Sequence, residues 1–171
     1  MWKYNGDDRP PFAHEPGPAQ ESVWDYPRPP EIKPDSRQVV VKLGETVIAS
    51  TDKAVRVLET ASPPTFYLPP DSVNTDLLKA AGGGSFCEWK GKASYWTVEA
   101  GGQIVKSGAW SYENTSPAFS SIQGYFSFYP AKLKCYVDDE LVEPQPGGFY
   151  GGWMTSEIVG PVKGEPGTGG W

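Results

Sequence analysis

The chain has 171 residues, of which 20 are glycine and 18 are proline, so more than a fifth of its positions disfavour a helix interior. An interior Gly costs about 1 kcal/mol and an interior Pro about 3 kcal/mol, which excludes an all-helical bundle. Fifteen Lys and Arg against 21 Asp and Glu leave a net charge of −6, which excludes sequence-independent DNA binding. Cys87 and Cys135 are too far apart for a CxxC zinc knuckle.

The opening MWKYNGDD has no apolar run behind a basic start, and nothing approaches 18 consecutive apolar residues. Two cysteines do not make a disulfide framework. The expectation is a cytoplasmic chain that binds neither membrane nor nucleic acid, with a homodimer left open. Seven Trp, nine Tyr and seven Phe supply the apolar surface for a core, at about 150–250 Å² each. Rings with few long aliphatics suit sheet faces better than helix stripes.

Residues 1–36 carry eight prolines, which favour extended polyproline-like backbone and forbid helix and central strand. Trp2, Tyr4, Phe12, Trp24 and Tyr26 lie among them, so the stretch reads as an arm pinned on a single β domain spanning residues 37–171. Gln38 to Leu43 and Thr46 to Ser50 flank Gly44-Glu45 as a hairpin. Ala54 to Thr60 fits helix period and strand alternation equally. Thr65 to Leu68 is a short strand between proline pairs. Asn74 suits the N-cap of one short helix, Thr75 to Ala81, stopped by Gly82-Gly83-Gly84.

Ser85 to Lys90 and Ala93 to Ala100 form a hairpin about Gly91, and Gly101-Gly102 turns the chain into Gln103 to Trp110. Tyr125 to Tyr129 is aromatic on both faces and predicts a strand covered on both sides. Lys132 to Val137 and Glu140 to Val142 make a last hairpin. The trio Asp138-Asp139-Glu140 reads there as turn chemistry, with no metal. Residues 144–171 hold nine glycines and four prolines around Phe149, Tyr150 and Trp153, a coil packed on a surface. The predicted class is mainly β: an antiparallel, tent-like or open-barrel-like domain with one short helix, a proline-rich arm and a glycine–aromatic coil.

Several motifs fall in order: Val57-Leu58-Glu59-Thr60, Pro63-Pro64 with Phe66-Tyr67, Cys87-Glu88-Trp89-Lys90-Gly91, Tyr95-Trp96, Phe128-Tyr129-Pro130 and Pro144 to Trp153. With them the chain resembles the bacterial and fungal domain-of-unknown-function family numbered 427, sometimes labelled nucleotidyltransferase-like. The resemblance covers about Arg37 to Trp171. It implies a fold similar to the β-tent group, which includes methionine sulfoxide reductase B and the ligand domain of cereblon. Those relatives commonly hold zinc on paired CxxC motifs, and neither cysteine here has a partner at that spacing. Nor is there a glycine-rich phosphate loop followed by Lys-Ser/Thr, or a paired-carboxylate metal motif.

Strand alternation through Cys87-Glu88-Trp89-Lys90 would put Cys87 and Trp89 on one face and Glu88 and Lys90 on the other. That separates Lys90 from Cys87 unless Gly91 introduces a bulge, and makes Cys87 a buried, inert thiol rather than a nucleophile. Glu59, ending an apolar stretch, is either a buried general acid or a surface residue; in a helix Arg56 would pair with it. Tyr67, Trp89, Tyr95, Trp96, Trp110 and Tyr129 lie on or beside predicted strands. The leading expectation is a cleft lined by these rings that binds a small planar or apolar organic molecule, without cofactor. Its expected contact residues are Glu59, Tyr67, Lys90, Tyr95, Trp110 and Tyr129. The alternatives are a transferase or hydrolase using Glu59 or Cys87, and a protein-interaction module docking through the arm or coil.

Overall fold

Glycine and proline cut this chain into short extended pieces. The computed structural model, which describes residues 2–171, accordingly contains fifteen strands and four short 3-10 turns. In chain order the strands begin with β1 (Glu21–Ser22), β2 (Glu31–Asp35), β3 (Val39–Leu43), β4 (Thr46–Thr51) and β5 (Ala54–Leu58). Next come β6 (Thr65–Tyr67), β7 (Leu78–Cys87), β8 (Gly91–Ala100), β9 (Gln103–Ser111) and β10 (Phe126–Phe128). The last five are β11 (Lys134–Val137), β12 (Glu140–Leu141), β13 (Glu143–Pro144), β14 (Trp153–Met154) and β15 (Ile158–Val159).

The fold is mainly β and mainly antiparallel. Sheet β2-β5-β6 joins sheet β10-β9-β8-β7 at Leu68 and Phe126, whose backbones exchange hydrogen bonds of 2.8 and 3.0 Å. Alternation then assigns the two faces. Phe66, Leu68, Val98, Ala109 and Phe128 turn toward a second sheet, β12-β11-β3-β4, and form the main core with its Val39, Val41 and Cys135. Val57, Tyr67, Ala93 and Trp110 point the other way and gather Tyr112, Phe119 and Ile122 into a separate cluster. The candidate cleft lies over that second face. All three residues of β10 are buried, as its two-sided aromatic pattern predicts.

Two local expectations need correction. The helix expected over Thr75 to Ala81 is a single 3-10 turn, Thr75–Leu77, and the Asn74 side chain makes no capping hydrogen bond. The chain continues as β7 through Gly82-Gly83-Gly84, where the register with β8 shifts between Ala80 and Gly84. These glycines therefore accommodate a bulge in a paired strand, which outweighs a short helix's weak intrinsic preference. The Arg56–Glu59 pair, proposed for a helical segment, is absent. Residues 54–58 are strand β5, and Arg56 instead pairs with Glu21 and Asp35.

The proline-rich stretch contributes β1, parallel to β15, and β2, whose edge position tolerates Pro34. Val23 and Trp24 are fully buried, and the Trp24 indole N–H donates to the Pro161 carbonyl at 3.1 Å. Around Trp24 stand the rings of Tyr4, Phe12 and Trp171, with centroids 5.1–5.3 Å away in edge-on contacts. No helix among the described residues is long and apolar enough to cross a membrane.

Candidate functional site

The second face opens into a cleft of about 460 Å³, and Glu59, Tyr67, Cys87, Lys90, Tyr95, Trp110 and Tyr129 all line it. β6 presents Tyr67, β8 presents Tyr95 and β9 presents Trp110; Tyr95 and Trp110 are direct cross-strand partners. Trp96 follows Tyr95 and alternation turns it away, so its ring packs on Phe126 and its N–H donates to Ser111 Oγ at 2.9 Å. Of the six rings grouped from the sequence, Trp96 alone belongs to the main core.

Hydrogen bonds and ring contacts fix the floor. The Trp110 N–H donates to Tyr67 Oη at 3.2 Å, and the Trp110 and Tyr129 rings lie 4.5 Å apart. The Tyr95 and Ser85 hydroxyls are 2.8 Å apart. Burial pushes the Tyr67, Tyr112 and Tyr129 phenols well above their ordinary pKa, so they remain neutral hydrogen-bonding groups.

The strand alternation applied to Cys87-Glu88-Trp89-Lys90 does not hold, because β7 ends at Cys87 and the next three residues form the turn to Gly91. Ser116 fastens that turn: its hydroxyl donates to the Trp89 carbonyl at 2.6 Å, and its N–H to the Lys90 carbonyl at 3.2 Å. Gly91 takes φ +115°, a conformation that a side chain would strain. The turn returns Lys90 to stand beside the half-buried Cys87, with its ammonium 5.6 Å from the Tyr112 ring centroid.

Glu59 sits just beyond β5 and is half-buried. Arg28 Nε donates to its Oε2 at 3.1 Å, from an arginine side chain only 3% exposed. The same guanidinium donates to backbone oxygens of Tyr4, Thr60 and Trp171 at 2.7–3.1 Å and stacks 4.0 Å from the Trp2 ring. Ala61, fully buried two residues on, takes φ +73°, so the chain turns sharply there before Ser62 and Pro63 continue along the cleft.

Two lysines complete the electrostatics. The Lys163 ammonium lies 4.6 Å from the Trp2 ring and 5.4 Å from Tyr150. Burial lowers its pKa and Arg28 acts in the same sense; Glu59 and Glu88 only partly oppose them. For Lys90, burial alone would lower the pKa, but Tyr112, Cys87 and Glu59 outweigh it and the net shift is upward. Among the described residues, neither ammonium forms an ion pair with a carboxylate. Ring faces are worth about 0.5–2 kcal/mol to a cation, against several kcal/mol for removing an ion from water. The rings orient these lysines without replacing lost hydration.

The C-terminal coil forms one wall. The Gln145 amide donates to the Lys163 carbonyl at 2.6 Å, and Gln145 Oε1 accepts from the Gly152 N–H at 3.0 Å. The Trp153 N–H donates to the Phe128 carbonyl at 3.0 Å. Between these anchors Tyr150, Gly151 and Gly152 face the cleft. Sequence reasoning missed Tyr112, Lys163 and Trp2. Alternation from Trp110 points to Tyr112, whereas nothing periodic marks the other two.

Residues 31–139 match the family model described as Domain of unknown function (DUF427). The chain belongs to the DUF427 family. The DUF427 match begins with β2 and ends in the turn after β11, so it holds the cleft residues on β5 through β9 and Tyr129. The ending Pro144 to Trp153, which contributed to the resemblance read from sequence, lies beyond the match, as do Trp2 and Lys163. No curated protein matches the chain.

Proposed function

We propose that this DUF427 domain binds a small planar organic molecule in the cleft over β6, β8 and β9. The observation that carries this reading is the cleft itself: rings line it, yet about 460 Å³ stays unfilled. Pockets for small ligands span about 300–1,000 Å³ and combine apolar walls with a few placed polar groups. Trp110 and Tyr129 would offer ring contacts, Tyr67 the floor, and Tyr95, Glu59 and Lys90 the polar contacts. The test is titration with planar aromatic compounds, followed by Trp fluorescence and by thermal stabilisation. Saturable quenching that Trp110→Leu abolishes supports the reading; a screen without a saturable binder removes it.

A second reading, a transferase or hydrolase using Cys87 or Glu59, has one observation in its favour: the turn sets Lys90 beside Cys87. On this reading Cys87→Ala leaves ligand affinity intact and abolishes turnover of the bound compound. Unchanged ligand after prolonged incubation removes it.

A further inference from the structure

Resting on the ligand-binding reading, we infer that the ligand is an organic anion, a planar ring bearing a carboxylate or phosphate, whose charge is met by Lys90 and Lys163. In a protein of net charge −6, with 21 acidic residues, two cleft lysines lack a carboxylate partner among the described residues. They come from distant parts of the chain, the β7–β8 turn and the C-terminal coil. Lys163 is 6% exposed and held between the Trp2 and Tyr150 rings, so its ammonium is positioned before any ligand arrives. The acids in the cleft are Glu59 and Glu88. Arg28 engages Glu59, and Glu88 Oε1 accepts the Trp2 indole N–H at 2.8 Å. The lining thus carries two ammonium groups against two carboxylates, and both carboxylates are already engaged, Glu59 by Arg28, which lies outside the lining, and Glu88 by Trp2.

A charged acceptor strengthens a hydrogen bond to an ammonium, and the effect grows where water is scarce. The binding partner therefore supplies the anion that the protein does not. Carboxylates and phosphates share this chemistry, and ligand pairs of equal shape separate them from neutral aromatics.

The experiment measures Kd by calorimetry for 2-naphthoate, 2-naphthyl phosphate and their neutral counterpart 2-naphthalenemethanol, with wild type, Lys90→Met and Lys163→Met. The expected result is at least about tenfold tighter binding of one anion than of the alcohol, falling toward parity in either variant. Retained affinity for the alcohol shows that a variant is folded. If a variant binds none of the three, the same comparison on wild type at 50 and 500 mM salt decides, since the anion preference must shrink with screening. Equal affinity for anion and alcohol in wild type overturns the inference and leaves the cleft reading standing. No binding of any of the three overturns both.

Discussion

Arg28 holds Glu59 across 31 residues of sequence, Nε to Oε2 at 3.1 Å, and with the same guanidinium reaches three backbone oxygens. The arginine joins the proline-rich stretch, the end of β5 and the C-terminal residue at one point. Arg28→Met leaves these acceptors without their donor. Unpaired buried acceptors make it destabilising by about 2–4 kcal/mol, reduced from the full buried-pair penalty because Glu59 keeps some solvent. Urea unfolding measures this; an unchanged midpoint would show that the arm is not anchored here.

Gly151 packs against the edge of the Trp110 indole, and a Cβ added there would overlap its six-membered ring. Gly151→Val should displace Trp110, cost about 1–3 kcal/mol as overpacking does, and weaken cleft ligands. Near-UV circular dichroism and probe affinity are the readouts. Wild-type values in both would mean that the coil yields and Trp110 stays.

Ala61 is fully buried at φ +73°. Left-handed backbone costs a non-glycine residue about 1–2 kcal/mol. Ala61→Gly removes that cost but loses a buried methyl worth about 0.8 kcal/mol, and it frees the unfolded chain by about 0.4–1 kcal/mol. The terms nearly cancel, so stability should change by less than about 1 kcal/mol. Ala61→Val adds β-branching in the same conformation and should cost at least about 2 kcal/mol. Equal unfolding midpoints for the two variants would contradict this account.

Cys135 is fully enclosed and burial pushes its thiol pKa up, whereas Cys87 lines the cleft. Iodoacetamide at pH 8 should add one group to the folded protein, at Cys87, and two in urea. Peptide mass mapping checks the site; labelling of Cys135 without denaturant would mean that the core opens.

Burial alone would raise the Asp35 pKa, but hydrogen bonds from Arg37, one of 2.7 Å, outweigh it and hold the carboxyl below its ordinary value. Glu21 behaves alike: burial opposes ionisation, and Tyr26 and Arg56 prevail. With folded pKa values below unfolded ones, the unfolded state binds protons first as acid is added. The stability these groups contribute is thus complete above about pH 5 and is lost as pH falls through about 4 and below. Urea midpoints between pH 6 and 2.5 should show this loss, and Asp35→Asn should flatten it; an equally steep curve in the variant would exclude Asp35.

Local chemistry carried much of the architecture. Gly44, Gly101-Gly102 and Asp138-Asp139 adopt the positive φ angles that tight turns demand, so their hairpins were legible directly. Phe66, Tyr67 and Leu68 split between core and cleft because adjacent strand residues face opposite sides. Alternation likewise turns Tyr95 and Trp110 to the cleft side, whereas it wrongly separates Cys87 from Lys90, which the turn after β7 brings together.

Long-range pairing decided the rest. Residues 78–84 have no strong intrinsic preference, and the ladder with β8 makes them strand where capping rules suggest helix. Lys163 and Trp2 occupy aperiodic segments at opposite ends of the chain, so only packing brings an ammonium and an indole to 4.6 Å. Turn conformation and side-chain alternation are properties of neighbouring residues and can be read from them. The electrostatics of a cleft depend on which distant groups share it, and that is known only once the chain has closed on itself.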